Sequence, residues 1–147
     1  MVLSDIVIRL DSPGSVITAL QQATHVTLHA LGVRLAHLDL TPSEQNVLAV
    51  LADSIRPTVG DLAAATGTRP TTLTSVLDRL ERRRLLSRQL DPADRRSFLV
   101  TLTPAGRRAA STVLAVMAEL EQAALAGLTP AQIAGFRAVT RAFTKTQ

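Results

Sequence analysis

Residues 59–80 read VGDLAAATGTRPTTLTSVLDRL, from Val59 through Gly67 to Leu80, and this string decides the fold. Two helices that cross closely need a small residue at the crossing, and Ala63 is small. The turn between them needs a residue that tolerates positive φ, and Gly67 stands four residues later. Leu73 and Val76, six and nine residues after Gly67, give the second helix an apolar side to lay against the first. An ordinary helical hairpin would satisfy part of this spacing. The arginines that begin at Arg69 favour a helix-turn-helix instead.

The apolar side of the second helix decides which residues face outward. With Leu73, Val76, Leu77 and Leu80 inward, Thr71, Thr74, Ser75 and Asp78 point away from the core, flanked by Thr72 and Arg79. Hydroxyls can donate or accept at base edges, and threonine methyls can pack on thymine methyls. Asp78 could accept from a cytosine amine, or pair with a neighbouring arginine. Arg79 and the run Arg82, Arg83 and Arg84 suit phosphates, which add affinity and register rather than sequence reading.

Downstream the pattern changes character. Residues 86–90 and 98–102 read as two short strands, with Asp91-Pro92-Ala93-Asp94 as the turn region. Arg95 and Arg96 fall near the tip of this hairpin, where a guanidinium can enter a narrow, electronegative minor groove. A major-groove helix followed by such a ribbon is a winged helix-turn-helix.

Around this unit the helix starts are legible. Ser12-Pro13, Thr41-Pro42, Thr103-Pro104 and Thr129-Pro130 each place a hydroxyl cap before a proline at the first helical position. Thr41 with Glu44 and Thr129 with Gln132 complete capping boxes, and Thr58 with Asp61 approximates one. Helices are expected over about 13–38, 42–53, 59–66, from 70 onward, 104–126 and 130–144. The fold class is therefore mainly α with a small β-hairpin wing, in a single domain over 1–147. A winged lobe of about 40–103 sits between helices of about 12–38 and 104–145, whose apolar surface exceeds what a lone small winged helix requires. A homodimer follows as the expectation. Its two-fold axis would set two recognition helices one DNA turn apart.

Composition narrows the function further. The chain has 147 residues and no cysteine, which excludes disulfides, thiolate metal sites and thiol redox sensing. Phe98, Phe136 and Phe143 are its only aromatics, too few for a base-stacking platform on single strands. No apolar run approaches a membrane span, and the start Met1–Ile8 lacks a basic leader, so it reads as native structure in a cytoplasmic protein. The net charge of +4 is unevenly placed. Residues 69–108 hold ten arginines against four acids, while the rest carries six bases against eight acids. Such asymmetry is the footprint of a phosphate-binding surface, the alternative being a solvated helix face. Arginine outnumbers lysine fifteen to one throughout, so arginine choice by itself says little about phosphate.

These residues resemble the MarR family of bacterial transcriptional regulators. The resemblance rests on Leu62-Ala63-x-x-x-Gly67, on Thr72-Leu73-Thr74-x-x-x-Asp78-Arg79-Leu80-Glu81, and above all on Asp94-Arg95-Arg96-x-x-x-Val100-x-Leu102-Thr103-x-x-Gly106, and it covers almost the whole chain. It implies that Arg96 is the minor-groove arginine and that Asp94 braces the wing. It further implies a homodimer built by the terminal helices, an inverted-repeat site near a promoter, and an effector site between the dimer helices and the DNA-binding lobe. Two positions depart from the family pattern. Arg84 replaces the usual glycine after the recognition helix, and Arg69 replaces its serine or threonine cap.

The controlling signal is less legible. His25 and His29 are four apart on the first helix, a usable metal-ligand spacing, with His37, Asp39, Glu44 or a partner subunit as sources of a third ligand. The same histidines also read as polar residues near a pocket or interface, where they or Arg34 could meet an anionic aromatic ligand. No cofactor is implied. The expected partners are double-stranded DNA, a second copy and a small-molecule effector. The leading function is a ligand-released repressor. Its alternatives are a metal-responsive regulator and a winged-helix protein-interaction module without DNA function. An enzyme is disfavoured, because no nucleophile elbow, phosphate loop or HExxH motif accompanies the serines, histidines and acids.

Overall fold

A computed structural model of the chain describes residues 14–145. The Ser12-Pro13 helix start and the Met1–Ile8 reading lie outside them. Six helices and one hairpin follow in the order α1 (Val16–Arg34), α2 (Pro42–Ala52), α3 (Val59–Thr66), α4 (Pro70–Arg82), β1 (Leu86–Leu90), β2 (Phe98–Leu102), α5 (Pro104–Leu125) and α6 (Pro130–Thr144).

The first helix departs from its expected course at its C-terminal end. Its described start follows Ser15, whose side chain makes no capping bond. At the other end it does not run on to residue 38. Leu35 closes α1, and Ala36–Leu38 tighten into a single 3₁₀ turn that ends at Asp39 in the left-handed region, φ 50°. Aspartate tolerates that region better than most residues, and the reversal lets the chain enter α2 while Leu31 and Leu35 stay buried.

The other starts are built as their sequences dictate. Thr41, Thr58 and Thr129 each accept from the backbone three residues on, and Glu44, Asp61 and Gln132 each reach back to the cap N–H. These reciprocal bonds satisfy donors that a helix start otherwise leaves unpaired. Gly67 ends α3 at φ 63°, with its N–H on the Ala63 carbonyl. That left-handed turn sets α4 across α3.

The strands pair antiparallel, with Leu86 opposite Leu102 and Leu90 opposite Phe98. A further bridge joins Leu99 to Thr58, and the Val100 N–H donates to the Pro57 carbonyl at 2.9 Å, tying the wing to the chain ahead of α3. One core fills the winged lobe. Val47, Leu48 and Leu51 of α2, Leu62 of α3, Leu73, Val76, Leu77 and Leu80 of α4, and Leu86 and Val100 of the hairpin are all buried together. A smaller cluster of Leu31, Leu35, Ala49 and Val113 seats α1 against α2 and α5.

Two backbone details lock the lobe. After α4, Arg84 takes φ 57°, its N–H donating to Glu81 O at 2.8 Å, while Leu85 N–H donates to Leu80 O at 2.9 Å. This is a Schellman ending made with arginine where glycine is usual. Gly106 lies where α5 passes the Leu85 carbonyl. A Cβ at that position would stand 1.7 Å from the carbonyl oxygen.

The outer frame is barely covered within one chain. No residue of α6 is buried, and Phe136 is 59 % exposed. Val16, Ile17, Val26 and Val33 of α1 are exposed as well. Among the described residues no single helix is long and apolar enough to cross a membrane.

Candidate nucleic-acid interface

Helix α4 is amphipathic in the sense its sequence requires. Its four apolar residues are fully buried, and Thr71, Thr72, Thr74 and Ser75 are exposed on the opposite side. Arg69 occupies the cap position without a capping bond, as its side-chain chemistry dictates, so Pro70 and the leading turn begin with a guanidinium rather than a hydroxyl.

The arginines divide into two groups. Arg79, Arg83 and Arg88 are turned onto the protein. Arg79 Nε donates to Glu44 Oε1 at 3.0 Å. Arg83 donates from Nη2 to the Leu38 carbonyl at 2.8 Å and from Nη1 to the Asp39 carbonyl at 2.5 Å, capping the turn between α1 and α2. Arg88 of β1 meets Asp78 at 2.7 Å and Glu81 at 2.6 Å. The side chains of Arg69, Arg84, Arg95 and Arg96, by contrast, are exposed and make no ion pair or hydrogen bond to the described residues. Arg82 lies between the groups, exposed, with only a 3.3 Å contact from Nε to Asp78 O.

The acids explain the division. Burial pushes the Glu44 carboxyl up, but the Thr41 N–H, Arg79 and the Thr41 hydroxyl outweigh it and hold the group below its ordinary value. The Glu81 carboxylate raises Arg88 against the opposing effect of burial, with Asp78 adding to it. Each inward arginine therefore answers a carboxylate or carbonyl of the lobe. The outward ones have no partner of that kind.

The wing tip is organised by two aspartates. Asp94 Oδ1 accepts the Arg96 N–H at 3.0 Å, and its Oδ2 accepts the Ser97 hydroxyl at 3.1 Å. Asp91 accepts the Ala93 N–H at 2.9 Å. These turns use the short reach of aspartate to its own downstream backbone. Between wing and recognition helix lies a cleft of about 380 Å³, bordered by Thr74, Arg88, Arg96 and Phe98. Thr74 and Arg96 thus share one surface depression, although they belong to different elements.

The sequence profile of the MarR family matches residues 38–97. Bordetella bronchiseptica BpsR is 30% identical over 88% of this chain and 98% of its own, with a TM-score of 0.74. The chain belongs to the MarR family. S. aureus MepR in its DNA-binding conformation shares the fold at 22% identity and a TM-score of 0.83, covering 91% of this chain and all of that one. CouR from Rhodococcus jostii RHA1, solved with p-coumaroyl-CoA, does so at 24% identity and 0.81, over 92% and 98%. No curated protein matches the sequence.

As a MarR-family winged helix, the chain is a DNA-binding transcription regulator. The residues expected from the sequence to meet DNA lie on α4, at its ends and on the wing. The effector-side residues are more scattered. His25, His29, Arg34 and His37 are all exposed in the single chain, with Arg34 3.6 Å from Glu119. Among the described residues no group of three His, Asp or Glu side chains is placed to hold a metal ion. Arg83, expected among the phosphate-binding arginines, donates to the Leu38 and Asp39 carbonyls, and Arg88, assigned no role by the sequence, braces α4 against β1. Arg88 carried a usable signal, since Asp78 and Glu81 face the start of the following strand. The carbonyl partners of Arg83 have no sequence signature.

Proposed function

We propose that the chain acts in the cytoplasm as a homodimeric, ligand-responsive repressor on an inverted repeat, without a catalytic step. The carrying observation is the sorting of its arginines, inward ones satisfied by the lobe and outward ones bare at the two ends of α4 and on the wing. A bare guanidinium on a rigid face is what a phosphate backbone neutralises, with release of counterions. In this reading α4 enters a major groove, Arg96 follows the minor groove, and Arg69, Arg84 and Arg95 meet phosphates.

Dimerisation is supported by the uncovered apolar residues of α1 and α6, which a second copy would bury. Ligand response is supported by kinship with BpsR, whose DNA binding is regulated by 6-hydroxynicotinic acid. A groove of about 530 Å³ between α2, β2 and α5 has Leu51, Ile55 and Leu114 along it and Arg56 and Arg107 at its edges, a setting for a small organic anion. His25, His29, Arg34 and His37 border the frame instead, and in a dimer they are second candidates for the same chemistry.

Duplexes selected from a random pool, followed by salt titration of the winner, test this reading. Two-fold symmetric sites and a steep salt dependence are expected. Arg96→Ala should weaken binding and lower the salt slope by about one. Unchanged affinity would overturn the wing assignment. Selection of no duplex would leave a winged-helix protein-interaction module.

A further inference from the structure

The polar groups on the exposed side of α4 differ in what they can still offer. Thr74 Oγ1 donates its proton to the Pro70 carbonyl at 2.9 Å, and Ser75 Oγ donates to the Thr72 carbonyl at 2.8 Å. A hydroxyl has one proton, so toward a bound duplex these two oxygens can only accept. Turning either one outward to donate forfeits the bond it has. Asp78 is occupied by Arg88, and Arg79 is turned to Glu44. Arg79 and Arg82 keep their Nη donors, but Thr74 and Ser75 themselves present two acceptors and the methyl of Thr74, with no free donor of their own.

The major-groove edges of the bases answer such a surface unequally. Guanine shows only acceptors, while cytosine and adenine each show an amine, and thymine adds a methyl. A C·G pair, like A·T, offers one amine beside two acceptors, but it carries no methyl. An A·T pair offers an amine and a methyl together. We propose that Thr74 and Ser75 are specificity-determining residues that select an A·T pair in each operator half-site, the adenine amine donating to a hydroxyl oxygen and the thymine methyl packing on Thr74.

The inference rests on the duplex-binding function above, and base analogues separate the two. In a selected duplex, each A·T pair of the half-site is rebuilt with uracil for thymine, or with purine lacking the amine for adenine. At one pair uracil should weaken binding about fourfold, the worth of one buried methyl. The purine should weaken it about fivefold, the worth of one hydrogen bond. Thr74→Ser should abolish the uracil effect, Thr74→Val should keep it, and Arg69→Ala should leave both analogue effects in place. If binding ignores both analogues at every A·T pair, or if Thr74→Ser keeps the full uracil effect, the inference is overturned while duplex binding stands. Failure to select any duplex overturns both.

Discussion

Arg88 on the first wing strand and Glu81 near the end of α4 are joined at three points. Arg88 Nη2 and Nε lie 2.6 and 3.0 Å from Glu81 Oε2, and the Arg88 backbone N–H donates to Oε1 at 3.0 Å. One carboxylate thus holds both the side chain and the backbone of the strand. This contact ties the recognition helix α4 to the wing, and Asp78 reinforces it from one turn earlier in the helix.

Arg88→Ala should therefore act on DNA binding through geometry rather than charge. Charged hydrogen bonds that are partly solvated support a stability loss of about 1–2 kcal/mol, read by urea unfolding. Duplex affinity should fall while the salt slope stays unchanged, because a paired guanidinium displaces no counterion. A slope reduced by one would instead place Arg88 on a phosphate.

Gly106→Ala should be among the most damaging single changes in the lobe. The added Cβ would stand 1.7 Å from the Leu85 carbonyl oxygen, which also accepts the Thr103 N–H at 3.1 Å. Backbone cannot yield as a side-chain end does, so α5 must shift away from the α4–β1 junction. A loss of at least about 2 kcal/mol is expected from overpacking at so close a contact. An unchanged denaturation midpoint would show that α5 adjusts freely there.

How much of this was legible in the sequence depended on whether a signal was local. The capping boxes at Thr41, Thr58 and Thr129 and the turn at Gly67 use residues within four positions of each other, and each helix begins where its cap stands. The hairpin strands run over 86–90 and 98–102 as their apolar and turn residues indicate. The 3₁₀ turn after α1 was not legible, because its stabilising donor, Arg83, comes from 45 residues downstream of Leu38. Arginine itself masked the division of roles. Ten guanidiniums in forty residues look alike as letters, and only the positions of Glu44, Glu81 and the Leu38 carbonyl separate supports from free charges.

Arg84→Gly should move stability and DNA binding in opposite directions. The residue holds φ 57°, a region that penalises a Cβ and suits glycine, so unfolding free energy should rise by about 0.5–1 kcal/mol. Its exposed side chain has no described partner, and its removal should lower duplex affinity with a salt slope smaller by about one. Gain of stability without loss of affinity would take Arg84 off the DNA-binding surface.

Glu44 predicts a pH-dependent link between α2 and the recognition helix. Its carboxyl is held below the ordinary value of 4.5 by Thr41 and Arg79, against the effect of burial. A lowered folded-state value means that the charged form is favoured by folding. Its contribution is fully present above about pH 4.5 and is lost as the pH falls through the lower folded value. Glu44→Gln preserves a residue that can complete the capping box but removes the titrating charge. Wild type should exceed this variant by about 1 kcal/mol at pH 7, and the gap should close as the pH falls below 4.5. Asp61, lowered by its Thr58 bonds, titrates in both proteins and cancels from the difference. A gap that stayed constant across that range would mean that Glu44 contributes through shape and hydrogen bonding alone, without the charge that Arg79 meets.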